Sequence, residues 1–162
     1  MKLVKMLGLS LLGMIGLLLP AWSQINMDQV MPVDPKVRIG RLPNGLTYYI
    51  RHNGLPEKRV EMRLVANTGS VLEDEDQLGL AHFMEHMNFN GTKRLPKNEL
   101  VSYLQSIGVE FGADLNAYTS FDETVYILPV PTDKPGLVEK GLQILEDWAH
   151  NVTYLTEDIE GE

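Results

Sequence analysis

The sequence contains no cysteine, so it can form no disulfide, thiol nucleophile or thiolate-ligated metal site. Any metal must be held by imidazole and carboxylate groups. Basic residues are also scarce, with 14 Lys+Arg against 22 Asp+Glu and a formal net charge of -8. A general polyanion binder needs an electropositive face to displace counterions, so nucleic acid is excluded as an expected partner. Internal repeats and low-complexity tracts are absent. What remains is 162 residues of ordinary globular composition, 44% hydrophobic and 22% charged, enough for about one domain.

Residues 1–23 have the order of a secretory signal peptide: Lys2 and Lys5, an apolar run from Met6 to Leu19, then Pro20 with Ala21 and Ser23 at the cleavage site. The run is shorter than the ~20 residues a spanning helix needs and ends at a proline, so no stable membrane span is expected after cleavage. The expected location is the periplasm or another exported compartment, where a chain without free thiols is at home. Residues 24–36 are polar and proline-containing and read as an extended arm.

Val37–Leu42 and Leu46–Arg51 have strand character and are joined by Pro43-Asn44-Gly45, a hairpin signal because Asn and Gly tolerate positive φ. Arg59–Ala66 alternates charged and apolar residues, which predicts a strand with one wet face. Gln77–Phe89 and Asn98–Ile107 are predicted helices, with Asn90-Gly91 and Gly108 as their stops. Gly112–Val130 is predicted to form a hairpin turning at Ser120–Glu123, followed by a long helix over Pro135–His150. One more helix opens at Thr156-Glu157-Asp158, and the domain expected over 37–162 looks cut within that element. The acidic residues Glu73–Asp76 precede the first helix and are taken to stabilise its N-terminal dipole.

The chemistry-bearing feature is His82-Phe83-Met84-Glu85-His86, the pattern H-x-x-E-H, inside the first predicted helix. At 100° per residue, His82, Glu85 and His86 cluster near 190° from Leu80, while Phe83, Met84 and Met87 lie within about 60° of it. That arrangement predicts an apolar face and an opposing polar one. Two imidazoles one turn apart can bind a single Zn²⁺, with the carboxylate close enough to hold a water on the metal. With four His and 13 Glu, a chance match has a probability of about 0.008, so a metal site is the better reading. His52, beside a turn, and His150, near a helix end, are taken as structural or surface groups. A catalytic zinc site usually takes three protein ligands, so a third carboxylate or His is still required.

H-x-x-E-H marks the inverted-motif zinc peptidases. Asn44-Gly45-Leu46, Gly79 through Met87, Gly91-Thr92 and Asn116-Ala117-Tyr118-Thr119-Ser120 also fall in that family's order, so the chain resembles the N-terminal part of a pitrilysin or insulinase-type metallopeptidase. The resemblance implies an α+β fold, a largely antiparallel sheet with helices packed on it. It implies a zinc-dependent endopeptidase hydrolysing extended peptides or small proteins, with a peptide or unfolded protein as the substrate partner, His82 and His86 as metal ligands and Glu85 activating a zinc-bound water. Asn116, Ala117, Tyr118 and Thr119 would bind the substrate backbone by strand addition. The family's third ligand is a glutamate ~75 residues past the second His. Glu162 falls at that spacing, but Ile159-Glu160-Gly161-Glu162 also resembles the start of the segment that precedes the ligand, which would place it past the chain end. The remaining domains of the same peptidase would then be partners. The alternative is a non-catalytic subunit or truncated inactive homologue that binds peptides or partners. S-ribosylhomocysteine lyase shares the motif, but its site includes a cysteine, which this chain lacks.

Overall fold

The computed structural model describes residues 30–110, 112 and 116–161. The expected leader, the first part of the expected arm and Glu162 lie outside the described residues. The chain divides into two compact units, one through His52 and one from Asn53.

In the first unit, β1 (Arg38–Arg41) and β2 (Thr47–Ile50) form an antiparallel hairpin in which Arg41 faces Thr47. Its turn is the Asn44-Gly45 segment, closed by the Leu42 amide on the Leu46 carbonyl and the Gly45 amide on the Leu42 carbonyl. An exposed ion pair, Arg51 Nε to Asp34 Oδ2 at 3.0 Å, ties the preceding segment to the end of the hairpin.

The second unit is built on β3 (Arg59–Ala66), β4 (Asn116–Thr119) and β5 (Thr124–Pro131), all antiparallel, in the order β3-β5-β4. The central strand reads Thr-Val-Tyr-Ile-Leu-Pro-Val-Pro and is buried along most of its length, as expected for a strand covered on both faces. Two prolines in a central strand would each remove a ladder donor if their nitrogens faced a paired strand. Ser120 donates its N–H to the Glu123 carbonyl, and antiparallel alternation then turns Val125 and Ile127 toward β4. Pro129 and Pro131 continue that side beyond Asn116, where β4 has ended, so neither removes a bond that β4 could accept.

Among the described residues, the unit also has the α-helices α1 (Leu80–Asn90), α2 (Glu99–Ser106), α3 (Leu137–His150) and α4 (Thr156–Gly161). The observed class is therefore α+β with an antiparallel sheet and packed helices. α3 lies on β3 and β5, and its approach depends on Gly141: a Cβ there would stand 2.9 Å from Val130 Cγ2 and 3.0 Å from Met62 Sδ. The core gathers Met62, Leu128 and Val130 from the sheet, Leu100 and Leu104 from α2, and Ile144 and Trp148 from α3.

α1 departs from the pattern predicted for it in two ways. It starts at Leu80 rather than Gln77, because residues before Gly79 form turns and the Glu73 carboxylate takes up amides at the helix start. It is also not divided into one apolar and one polar face. Glu85, Met87 and Asn88 are buried, while Leu80 and Met84 are 46% and 37% exposed. At 100° per residue, Glu85 and Met87 lie about 160° apart, so the helix is covered on two flanks. The reason is its position: α1 contacts β4 on one side and α2 and α4 elsewhere, instead of lying on an open surface.

Candidate active site

The far end of α1 is held by its neighbour α3. Trp148 Nε1 donates to the Asn88 carbonyl at 2.9 Å, and Asn88 Nδ2 donates to the Trp148 carbonyl at 3.3 Å. Phe89 packs edge-on to Trp148 with ring centroids 5.4 Å apart. Just past the helix, Thr92 Oγ1 donates to Asp147 Oδ2 at 2.9 Å and accepts the Leu95 amide at 3.1 Å. Both Thr92 and Asp147 are only 1% exposed, so this junction excludes water. Together these bonds fix the axis of the helix that carries His82, Glu85 and His86.

His82 and His86 stand one turn apart, and their Nε2 atoms converge to 3.1 Å with the rings 88° apart. The contact is a ring-to-ring hydrogen bond in which one imidazole must be the donor tautomer. Two imidazole nitrogens on a tetrahedral Zn²⁺ at ~2.05 Å stand about 3.3 Å apart, so the observed spacing fits shared coordination without backbone movement. Among the described residues, no group of three His, Asp or Glu forms a complete metal cage. The donor set present therefore suits two of the three protein positions of a catalytic zinc site, and Glu162, one expected source of the third, lies outside the described residues.

Glu85 is 8% exposed and is covered by β4. Thr119 donates Oγ1 to Glu85 Oε2 at 2.6 Å, which fixes the carboxylate's orientation. Thr124, behind it, donates to the Thr68 carbonyl at 2.9 Å. Tyr126 is buried below the site, and that burial, reinforced by the Glu85 charge, raises its hydroxyl pKa far above the ordinary value. The phenol therefore stays neutral.

A cleft of about 550 Å³ opens over these groups, lined by His82 and Glu85 on one side and by Ala117, Tyr118 and Thr119 on the other. Asn116 is not among its lining residues. β4 is an edge strand, and the alternation set by Ser120 and Glu123 turns the main-chain groups of Ala117 and Thr119 away from β5. Asn116 Oδ1 accepts the Ala117 N–H at 2.9 Å and so occupies that outward donor. The end of the cleft is closed where the 3-10 turn Ser70–Leu72 meets the β4–β5 turn, with Ser70 donating to the Ser120 carbonyl and Val71 to that of Phe121. Gly69 permits this approach, because a Cβ there would lie 2.4 Å from the Ser120 carbonyl oxygen.

The arrangement places the His82 imidazole, an oriented carboxylate and the edge strand β4 in one cleft, with His86 beside His82 but not among the lining residues. A family profile described as Insulinase (Peptidase family M16) matches residues 49–162. The chain belongs to this family. It is 40% identical over 139 residues to the probable zinc protease PqqL of Haemophilus influenzae, covering 86% of this chain and 15% of that protein. To a zinc protease PQQL-like protein of Arabidopsis thaliana it is 46% identical over 123 residues, covering 76% of this chain and 13% of that one. The crystal structure of the first half of the periplasmic protease PqqL from Escherichia coli matches with a TM-score of 0.79 at 40% identity, over 83% of this chain and 29% of that one. This insulinase-family chain thus spans 15% or less of the length of these two curated relatives.

His52 belongs to the first unit and His150 to the exposed last turn of α3, and neither lines the cleft. Two features of the cleft were not anticipated from sequence. One is the bond from Thr119 to Glu85, which depends on how β4 docks against α1. The other is Glu73, whose position in an acidic stretch before a helix was a signal for capping but not for a place in the cleft wall.

Proposed function

We propose that the chain is the metal-donor portion of an exported zinc-dependent endopeptidase that hydrolyses peptide bonds in extended peptides or unfolded proteins. The observation that carries this reading is the 3.1 Å convergence of His82 and His86 on the helix whose His82 and Glu85 line a cleft with the edge strand β4. His82 and His86 would hold the ion, and Glu162 or a glutamate beyond the chain end would complete its protein ligands. Zn²⁺ held there supplies Lewis acidity that brings the pKa of water toward ~7. Glu85 takes the proton from the attacking water and delivers it to the leaving amine nitrogen. Thr119 keeps Oε2 occupied and so leaves the other carboxylate oxygen for this work.

Peptide would add to β4 as a further strand, with Ala117 and Thr119 offering outward main-chain groups and Asn116 Oδ1 yielding the Ala117 N–H. Main-chain pairing gives affinity with little dependence on side-chain sequence, which suits an unfolded substrate. Residues 1–23 would serve as an export signal and 24–36 as an arm ahead of the domain over 37–162. The periplasmic location of the PqqL match supports export, and the remaining domains of the polypeptide would enclose the substrate.

The test is Glu85→Gln in the full-length polypeptide. Zn²⁺ content should be retained, while kcat on an unfolded protein substrate falls by about 10²–10⁴-fold. Parental turnover in that variant would refute Glu85 as the base. A second reading, a non-catalytic peptide-binding subunit, draws on the two-donor set among the described residues. It predicts peptide binding without hydrolysis in the parent protein as well.

A further inference from the structure

The residue ahead of α1 is Gly79, which has no side chain with which to cap the helix. The opening turn of any helix has N–H groups with no intrahelical acceptor; the Leu80 amide turns to the Gln77 carbonyl at 2.9 Å, which leaves those of Gly79 and Ala81 to be satisfied. The missing acceptor comes from several residues upstream: Glu73 Oε2 accepts the Gly79 N–H and Oε1 accepts the Ala81 N–H, both at 2.8 Å. The two bonds lower the pKa of the carboxyl below its ordinary value, the Ala81 bond contributing most. Glu73 itself follows the 3-10 turn that is bonded to Ser120 and Phe121. One carboxylate therefore joins the start of α1 to the wall of the cleft it lines.

The placement of His82 makes this bond pair functional. His82 is the third residue of α1, inside the turn that Glu73 closes, whereas Glu85 and His86 lie in later turns held by the helix ladder. Fraying of the opening turn would move His82 and leave His86 in place. We propose that Glu73 is a positioning residue that keeps the His82 ring against His86 by holding the Gly79 and Ala81 amides. The inference rests on the metal-donor reading above, but its direct consequence, the ring-to-ring contact, does not require a metal.

The experiment compares the chain with its Glu73→Gln, Glu73→Asp and Glu73→Ala variants. Nuclear Overhauser contacts between the His82 and His86 rings are measured first without metal, followed by titration with Zn²⁺ alone. In the parent the ring contact is present. In Glu73→Ala it is lost, and Zn²⁺ affinity falls about tenfold, the scale of a lost helix cap. Glu73→Gln keeps one acceptor oxygen and lies between the two. Glu73→Asp keeps the charge but is one methylene too short to reach both amides, so it behaves like Ala. The ring-shifted signals of Phe89, Tyr126 and Trp148 stay at parental positions, which separates the effect from general unfolding.

A parental ring contact and affinity in Glu73→Ala would overturn the proposal. So would a parental Glu73→Asp beside a weakened Glu73→Gln, which would assign the effect to charge alone. If Glu73→Ala does not fold, the intermediate contact and affinity of Glu73→Gln support the proposal and parental values refute it. If the parent takes up no Zn²⁺, the metal reading fails, while the metal-free ring contact still decides the role of Glu73.

Discussion

Replacing Asp147 by Ala tests how strongly α3 holds the helix that carries the site. Asp147 accepts Thr92 Oγ1 at 2.9 Å, Arg94 Nη1 at 2.6 Å and Asn151 Nδ2 at 2.9 Å. The three bonds are unequal. Arg94 keeps Glu146 at 2.7 Å and its side chain is 40% exposed, so water replaces what it loses. Asn151 is partly exposed and keeps its backbone bond to the Asp147 carbonyl at 2.7 Å. Thr92 is sealed, and its hydroxyl is left without an acceptor. A hydrogen bond to a charged group contributes about 1.5–3 kcal/mol, and the small void adds to that, so the expected loss is about 3 kcal/mol. That is a large share of the ~5–15 kcal/mol that holds an ordinary domain together. Urea unfolding followed by far-ultraviolet circular dichroism at neutral pH measures it, with Arg94→Ala as a control expected to cost under about 1 kcal/mol. A loss below about 1 kcal/mol for Asp147→Ala would refute the reasoning. It would mean that the cost of burying the carboxylate cancels the bonds it accepts.

Two further outcomes follow from the geometry. Gly141→Ala should destabilise the chain by about 1–3 kcal/mol although Ala is the better helix former, because its methyl group would press into Val130 and Met62; an equal or higher unfolding midpoint would contradict that packing. The Glu73 carboxyl is held below the ordinary glutamate range by the Ala81 and Gly79 amides, so its contribution is complete above that range and is lost as the pH falls through the lowered value. The amide proton resonances of Gly79 and Ala81 should titrate together on the acid side of ordinary glutamate, and independent titrations would contradict a shared carboxylate.

The strands of this fold were legible because their signals are local. Asn44-Gly45 marks its own turn, and the alternation in Arg59–Ala66 marks the strand that pairs with β5. The H-x-x-E-H spacing likewise predicted that His82 and His86 would meet, since one turn of backbone accounts for that distance. The beginning of α1 was misjudged because its cap is a side chain from Glu73, and periodicity carries no record of such a partner. The burial of Glu85 was illegible for a related reason. On a helical wheel it shares the polar side with the histidines, and only the docking of β4 through Thr119 covers it. Leu80 and Met84, counted on the apolar face, are partly exposed because neighbours flank α1 on both sides of that strip.

His82, Glu85 and His86 occupy a single stretch of helix, whereas the other bank of the cleft belongs to a strand more than two dozen residues further along the chain. Spacing within the trio is thus inherited from helical pitch, with Glu73 outside the helix holding the amides of the turn that carries His82. Positions on the opposite bank that do not touch α1 can therefore change, and with them what the cleft accommodates, whereas Thr119, bonded to Glu85, is tied to the trio.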